Sequence, residues 1–196
     1  VSATKDEETC DAGWNIVSEF RHSPDAWKLV HHTKNLFCLV YHSASVSFRT
    51  EKPCLCARVS SVEERSLEAK YLYQYSPDEK KLFAGLTTVK PNRTDHAFKH
   101  MNEFIVKYVV GEDLVKEPFR VLYTDYMSCV VLNSTTLGAQ VWVERSHLVK
   151  RRDVPYVCAV VYDLLAKDVR HMVFDWKHCP GRQSFTKTSP GPATKR

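Results

Sequence analysis

The stretch "SPDAWKLV", Ser23 to Val30, followed closely by "NLFCLVYHS", Asn35 to Ser43, decides the fold. Ser23 carries the oxygen of an N-cap, able to accept from a free backbone N–H. Pro24 suits the first helical position, where its missing N–H costs nothing. Asp25 sets negative charge against the positive end of a helix. The polar run His31 to Lys34 then cuts the helix short, and β-branched and aromatic residues take over. A capped turn of helix carrying Trp27, directly ahead of a strand, fits a plug that closes one end of a barrel.

From about residue 35 to 145 the sequence supports that barrel. "NLFCLVYHS", "LCARVSSV", "LEAKYLYQY", "KLFAGLTTVK", "FIVKYVV", "FRVLYTD", "SCVVLNS" and "AQVWVERS" each have strand composition. Turn-forming segments separate them, among them Ser76-Pro77-Asp78-Glu79-Lys80, Lys90-Pro91-Asn92-Arg93 and Gly111-Glu112-Asp113. Eight short strands at this spacing imply a closed barrel or a sandwich. Towards the C-terminus the period changes. Asp153 is placed to cap a helix whose apolar stripe is Val157, Val160, Val161, Leu164 and Leu165. "VRHMVFDWKHC" reads as an extended return to Cys179. Residues 1–9 are polar, and 11–30 hold short helical pieces with Trp14, Val17, Phe20 and Trp27. One domain is expected over residues 1–180. Residues 181–196 lack an apolar face and read as a flexible basic tail.

The 196 residues are 43% hydrophobic, enough for one well-buried domain. No apolar run reaches the roughly 18 residues of a membrane helix, so no membrane insertion is expected. The chain opens on Val1 without a charged-then-apolar leader, and a signal peptide is expected to have been removed. Seven cysteines without a CxxC pair favour disulfides in an oxidising compartment over zinc. The odd count leaves a thiol free or available to a second chain, so a monomer is expected, with a disulfide-linked dimer as the alternative. The sequons at Asn92 and Asn133 agree with secretion. A net charge of +5 comes from 28 basic and 23 acidic residues interspersed along the chain, which gives nucleic acid little to hold. "HAFKH" (His96 to His100) lacks the further ligands a metal needs. No nucleophile elbow, metalloprotease helix or phosphate loop appears. The expected protein is no enzyme and needs no cofactor.

"DAWK" (Asp25 to Lys28), "RSLEAKYLY" (Arg65 to Tyr73), "NRTDHAF" (Asn92 to Phe98), "YTDYMSC" (Tyr123 to Cys129) and the series Cys129, Cys158, Cys179 together resemble the tick salivary lipocalins, in particular the histamine-binding group. The resemblance implies an all-β, eight-stranded antiparallel barrel with a short N-terminal helical plug and a C-terminal amphipathic helix. It also implies disulfides Cys56–Cys179 and Cys129–Cys158. Cys10 and Cys54 are then candidates for a third bridge, and Cys38 for a buried free thiol.

In amine-binding relatives carboxylates and aromatics line the barrel. Carried over residue by residue, the acidic positions fall on Leu86, Val130 and Gln140, with Ser45 to Ser47 where a further acid would stand, while the aromatic partners Phe98 and Trp142 persist. Burying an amine without a counter-charge costs several kcal/mol, so histamine is expected to bind no tighter than about millimolar. Arg58, Lys70 and Lys107 are the candidates to meet a lipid carboxylate. Tyr71, Tyr73 and Tyr75 share one strand face, either lining the barrel or forming a contact stripe. "VVGEDLVKEPF" and Lys150-Arg151-Arg152 are candidate rims for a protein partner. The expected function is secretion into saliva and stoichiometric capture of a host complement protein through outer loops. The alternative is sequestration of a lipid or amine mediator inside the barrel.

Overall fold

The computed structural model describes residues 24–44, 52–77, 81–94, 98–110, 113–166 and 169–179. A seven-residue helix α1 (Ala26–His32) leads into β1 (Phe37–His42), β2 (Cys56–Glu63), β3 (Glu68–Tyr75) and β4 (Phe83–Asn92). β5 (Glu103–Val110), β6 (Asp113–Thr124), β7 (Cys129–Ser134) and β8 (Gly138–Glu144) follow. Helices α2 (Arg145–Arg151) and α3 (Tyr156–Ala166) and a short β9 (His171–Met172) complete the order. β2 through β8 pair in sequence, all antiparallel; β8 pairs with β1, and β1 returns to β2 to close the barrel.

Alternation explains most strands. In β3, Ala69, Tyr71, Tyr73 and Tyr75 share the inner face, with Glu68, Lys70, Leu72 and Gln74 on the outer. β1 lacks alternation because both of its faces are covered. Phe37 and Leu39 pack inside, whereas Cys38 and Val40 pack outside beneath α3. A register shift between Leu39 and Tyr41 puts Tyr41 on the outer side as well, ring to ring with Tyr162 of α3 at 4.6 Å.

The β1–β2 seam is held by two residue pairs, Phe37 with Ala57 and Cys38 with Cys56. Beyond them the seam is filled by a piece from the far end of the chain. β9 pairs with Tyr41 and His42; next to it, Val173 N–H donates to Val40 O (2.8 Å), while Val173 O accepts from Cys54 N (3.2 Å). Val173 buries its side chain against Leu39, Leu55 and Leu137.

Three disulfides brace the described residues: Cys38–Cys56, Cys54–Cys179 and Cys129–Cys158. Cys129–Cys158 is as the resemblance implied, whereas the bridge to Cys179 differs. Cys56 faces Cys38 across the β1–β2 seam, so it is Cys54, in a left-handed conformation (φ 57°), that reaches Cys179. Cys38 is therefore bridged, and the proposed Cys10–Cys54 bond has no partner left; Cys10 lies outside the described residues.

The plug forms as the opening stretch implied, with a different cap. Asp25 is the N-cap, its carboxylate accepting from Lys28 N at 2.9 Å, and Pro24 precedes it; Ser23 lies outside the described residues. Ala26, Leu29 and Val30 carry the buried face onto Phe37, Ala69, Val89, Phe104, Val121 and Val130, with Trp27 half-buried at the edge. α3 is rotated from the expected stripe. It buries Cys158, Val161, Tyr162 and Ala166, while Val157 and Leu164 are exposed. The Cys129–Cys158 bond sets that phase, because position 158 has to face β7. Asp153 does not cap α3 but bonds His147 Nε2 at 2.8 Å.

Candidate ligand site

The floor of the barrel is solid. Ala69, Val89, Phe104, Val121 and Val130 reach α1 from five strands, each nearly inaccessible to solvent. Val130, a candidate ligand contact from the sequence, is part of this floor. Just above it Tyr71 bonds Thr33 through their hydroxyls at 3.1 Å. Burial pushes the Tyr71 hydroxyl up to about 12, with the Thr33 bond pulling slightly the other way.

Trp142 marks the boundary, packing both with the floor and with the upper group of Leu39, Leu55, Leu137, Val173, Tyr73 and Tyr75. Its Nε1–H donates to Gln140 Oε1 at 3.0 Å, and Gln140 Nε2 donates to Ser134 Oγ at 2.9 Å. Gln140 is fully buried and forms an internal strut between β7 and β8. Phe98 sits half-buried in the β4–β5 loop at the closed end, where Met101 O accepts from Ala26 N. Leu86 leaves the lining altogether: it is 62% exposed and pairs across the outer face with Leu72. Its neighbour Gly85 holds the inward position.

Register fixes the cations in the same way. Arg58 stands beside Leu72, Lys70 beside Thr88, and Thr88 beside Lys107, all on the outer face with Leu86. Of the two readings of the three tyrosines, lining or contact stripe, the first holds, since all three turn inward. Tyr73 lies across Gly85, and Tyr75 stacks on Phe83 at 5.5 Å by the mouth.

The sequence reading missed Glu117. It alternates with Phe119 and Val121 along β6, so it faces inward, and it is buried. Tyr108 OH donates to Glu117 Oε2 (2.6 Å); Thr136 N donates to Oε1 (2.5 Å) and Thr136 Oγ1 to Oε2 (3.0 Å). Burial first, then the bond to this carboxylate, pushes the Tyr108 hydroxyl above its ordinary range and keeps it a donor. The signal was present in the period-two pattern of "KEPFRV", hidden by the proline and the charges around it.

The two proposed rims stand at opposite ends. The β5–β6 hairpin of "VVGEDLVKEPF" is at the mouth, whereas Lys150, Arg151 and Arg152 follow β8 at the closed end, where Arg145 N donates to Leu36 O. All three basic side chains are exposed, and Tyr156 nearby is 81% exposed. Of the sequon residues, Asn92 is exposed at the end of β4, with its amide on Glu103 Oε1 (2.5 Å), and Asn133 is half-buried in β7. His100 of "HAFKH" pairs with Asp25 at 3.5 Å, and the described residues hold no group of three or more metal-ligating side chains.

Comparisons with known proteins agree on one architecture. The structure is similar to that of AM182 in its serotonin complex, with TM-score 0.63, 17% identity, and 83% of this chain covering 96% of that one. Insecticyanin from the tobacco hornworm Manduca sexta gives TM-score 0.54 at 11% identity, over 79% of this chain and 90% of its own. Japanin from Rhipicephalus appendiculatus, bound to cholesterol, gives 0.50 at 18% identity, over 71% and 93%. No curated protein sequence matches significantly. The family model described as tick histamine binding protein matches residues 14–180. With that match across most of its length, on a lipocalin barrel, the chain belongs to the tick histamine-binding protein family.

Proposed function

We propose that the protein captures a small host mediator in the mouth-side half of its barrel, stoichiometrically and without turnover, after secretion into saliva. The observation that supports this most is the lining itself. Tyr73, Tyr75, Tyr108 and Trp142 face inward yet keep partial solvent exposure, which an inward side chain has only beside accessible space. Aromatic walls with a few directed polar groups suit a small ligand. Glu117 gives the class. It supplies a buried carboxylate with one lone-pair direction left after three donors, while Arg58, Lys70 and Lys107 stand on the outer face. That balance favours an aromatic amine over a fatty acid. The AM182 complex, in a protein of the same fold, holds serotonin.

Titration calorimetry with serotonin and histamine tests the reading. Serotonin is expected to bind, and Glu117→Gln to weaken it at least tenfold, the scale of a lost charge-assisted hydrogen bond. Absence of binding by either amine, or an unaltered constant in Glu117→Gln, overturns it. A second reading, capture of a complement protein, draws on the exposed Lys150, Arg151 and Arg152 beside exposed Val149 and Tyr156. Reversal of the three charges to Glu then abolishes protection of red cells from complement lysis, whereas Glu117→Gln leaves that protection untouched.

A further inference from the structure

We infer that the outer wall of the barrel, over β3 to β6, docks on an anionic lipid bilayer, with three lysines meeting the headgroups and three leucines entering between them. The inference uses outer-face residues only and stands apart from the mediator reading.

Register lays the cations in one row. Lys70 pairs with Thr88, Thr88 with Lys107, and Lys107 with Lys116, across four consecutive strands. Their neighbours Ala69, Val89 and Val106 pack inside, so the row faces out, with Lys70 and Lys116 exposed and Lys107 half-buried. Like charges directly opposite each other weaken a sheet, yet Lys107 stands opposite Lys116. Glu68, the carboxylate of β3, is held by Lys90 at 3.1 Å. Among the described residues none of the three lysines is ion-paired. A second row runs beside the first on its mouth side. Leu72, Leu86 and Leu114 lie two residues along their strands from Lys70, Thr88 and Lys116. Leu86 and Leu114 are each 62% exposed, and Leu72 is half-buried. An antiparallel sheet with one wet face sets its apolar residues inward and its polar ones outward. Two local rules are thus broken on one patch, and sequences break such rules at functional sites.

Composition selects the partner. Three lysines call for an anionic one, and a second copy of this chain, carrying the same row, is repelled. Protein interfaces deplete lysine and anchor on tryptophan, tyrosine and arginine, with leucine under-represented. Lysine with leucine is instead the pairing of elements that lie on anionic membranes. A sulfated polysaccharide satisfies the lysines but leaves the leucines in water. Among the described residues no helix is long and apolar enough to cross a bilayer, so the contact is peripheral.

Cosedimentation of the full chain with vesicles tests this, using phosphatidylcholine alone and phosphatidylcholine with roughly a third phosphatidylserine. Binding is expected to the anionic vesicles only, and to weaken as salt rises. A lysine near such a surface contributes about fivefold, so Lys107→Gln with Lys116→Gln lowers the partition constant roughly 25-fold. Leu86→Ser with Leu114→Ser lowers it roughly tenfold. Lys107→Glu separates lost binding from lost folding. It sets opposite charges across β5 and β6, so the melting temperature rises by roughly 1–3 °C while vesicle binding falls. Binding to neither vesicle, or equal binding to both, overturns the proposal. So does an unchanged constant in the leucine variant, which assigns the lysines to a polysaccharide or an acidic protein. Loss confined to reversal of Lys150, Arg151 and Arg152 overturns it too, by placing the contact on α2.

Discussion

At the closed end, Asp25 N–H donates to the Tyr126 hydroxyl at 2.8 Å, across 101 positions of sequence, and Tyr126 stands in the turn that Asp125 ties. Asp125 Oδ1 accepts from the N–H groups of Met127, Ser128 and Cys129, at 2.8 to 3.0 Å, and its other oxygen accepts from the Ser128 hydroxyl. Lys28 Nζ lies 4.5 Å from the Tyr126 ring centre. The two motifs "DAWK" and "YTDYMSC" are thus one joint that seats the plug. Removing the carboxylate strands three backbone donors, so Asp125→Ala is expected to cost about 2 kcal/mol in urea unfolding. Burial raises the Asp125 carboxyl, but the Ser128 and backbone bonds outweigh it and hold the group below its ordinary value. A depressed carboxylate stabilises the fold above its unfolded pKa and loses that contribution as pH falls through the folded one. The advantage of wild type over Asp125→Asn should therefore be full at pH 7 and shrink below about pH 4. An advantage that grows on acidification contradicts the assignment.

Among the elements, the strands were legible and the helices less so. "EAKYLYQY" alternates cleanly, and the inward tyrosines follow from which face is apolar. For α3 periodicity pointed to the stripe of Val157, Val160, Val161, Leu164 and Leu165, but Val157 and Leu164 are as hydrophobic as Val161 and Tyr162, so periodicity did not fix the phase. The Cys129–Cys158 bond chose. Val161→Ala is accordingly expected to lower stability by roughly 1–3 kcal/mol, and Val157→Ala by less than about 0.5 kcal/mol; equal losses refute the observed phase. Leu86 was misread for a different reason. A position carried across from relatives is only as good as its strand register, and a one-residue slip moves a side chain through the sheet. Glu117 was overlooked because a carboxylate between Lys116 and Pro118 looks like a solvated loop until Val121 is known to face inward.

For the molecule as a whole, the decisive tie is Cys54–Cys179, which joins residues 125 apart. The chain-entropy account assigns a loop of that length about 5 kcal/mol. Replacing both cysteines by serine should lower stability by roughly 2–5 kcal/mol, with thermal melting as the readout. Non-reducing peptide maps should give Cys38 with Cys56, Cys54 with Cys179, and Cys129 with Cys158; a Cys56–Cys179 peptide would instead vindicate the pattern of the relatives. The resemblance implied Cys129–Cys158 as found but gave Cys179 to Cys56 and left Cys38 free, because Cys54 and Cys56 lie two residues apart and only the backbone turn at Cys54 separates their directions.

The strand spliced in beside Val40 has a consequence for how the protein is made. A ribosome delivers β1 through β8 long before residues 171–174, so the nascent barrel waits with a slot in its wall. Throughout that interval Cys179, the partner of Cys54, is still to come, while Cys56, two residues further on, faces Cys38 across the seam. Oxidation at that stage therefore meets a choice between Cys38–Cys56 and Cys38–Cys54, and the wrong choice leaves Cys56 for Cys179. Chains stalled near residue 165 should carry both isomers, and emergence of the segment through Cys179 should sort them. The late segment that fills the slot then acts as proofreader for bonds made before it arrives.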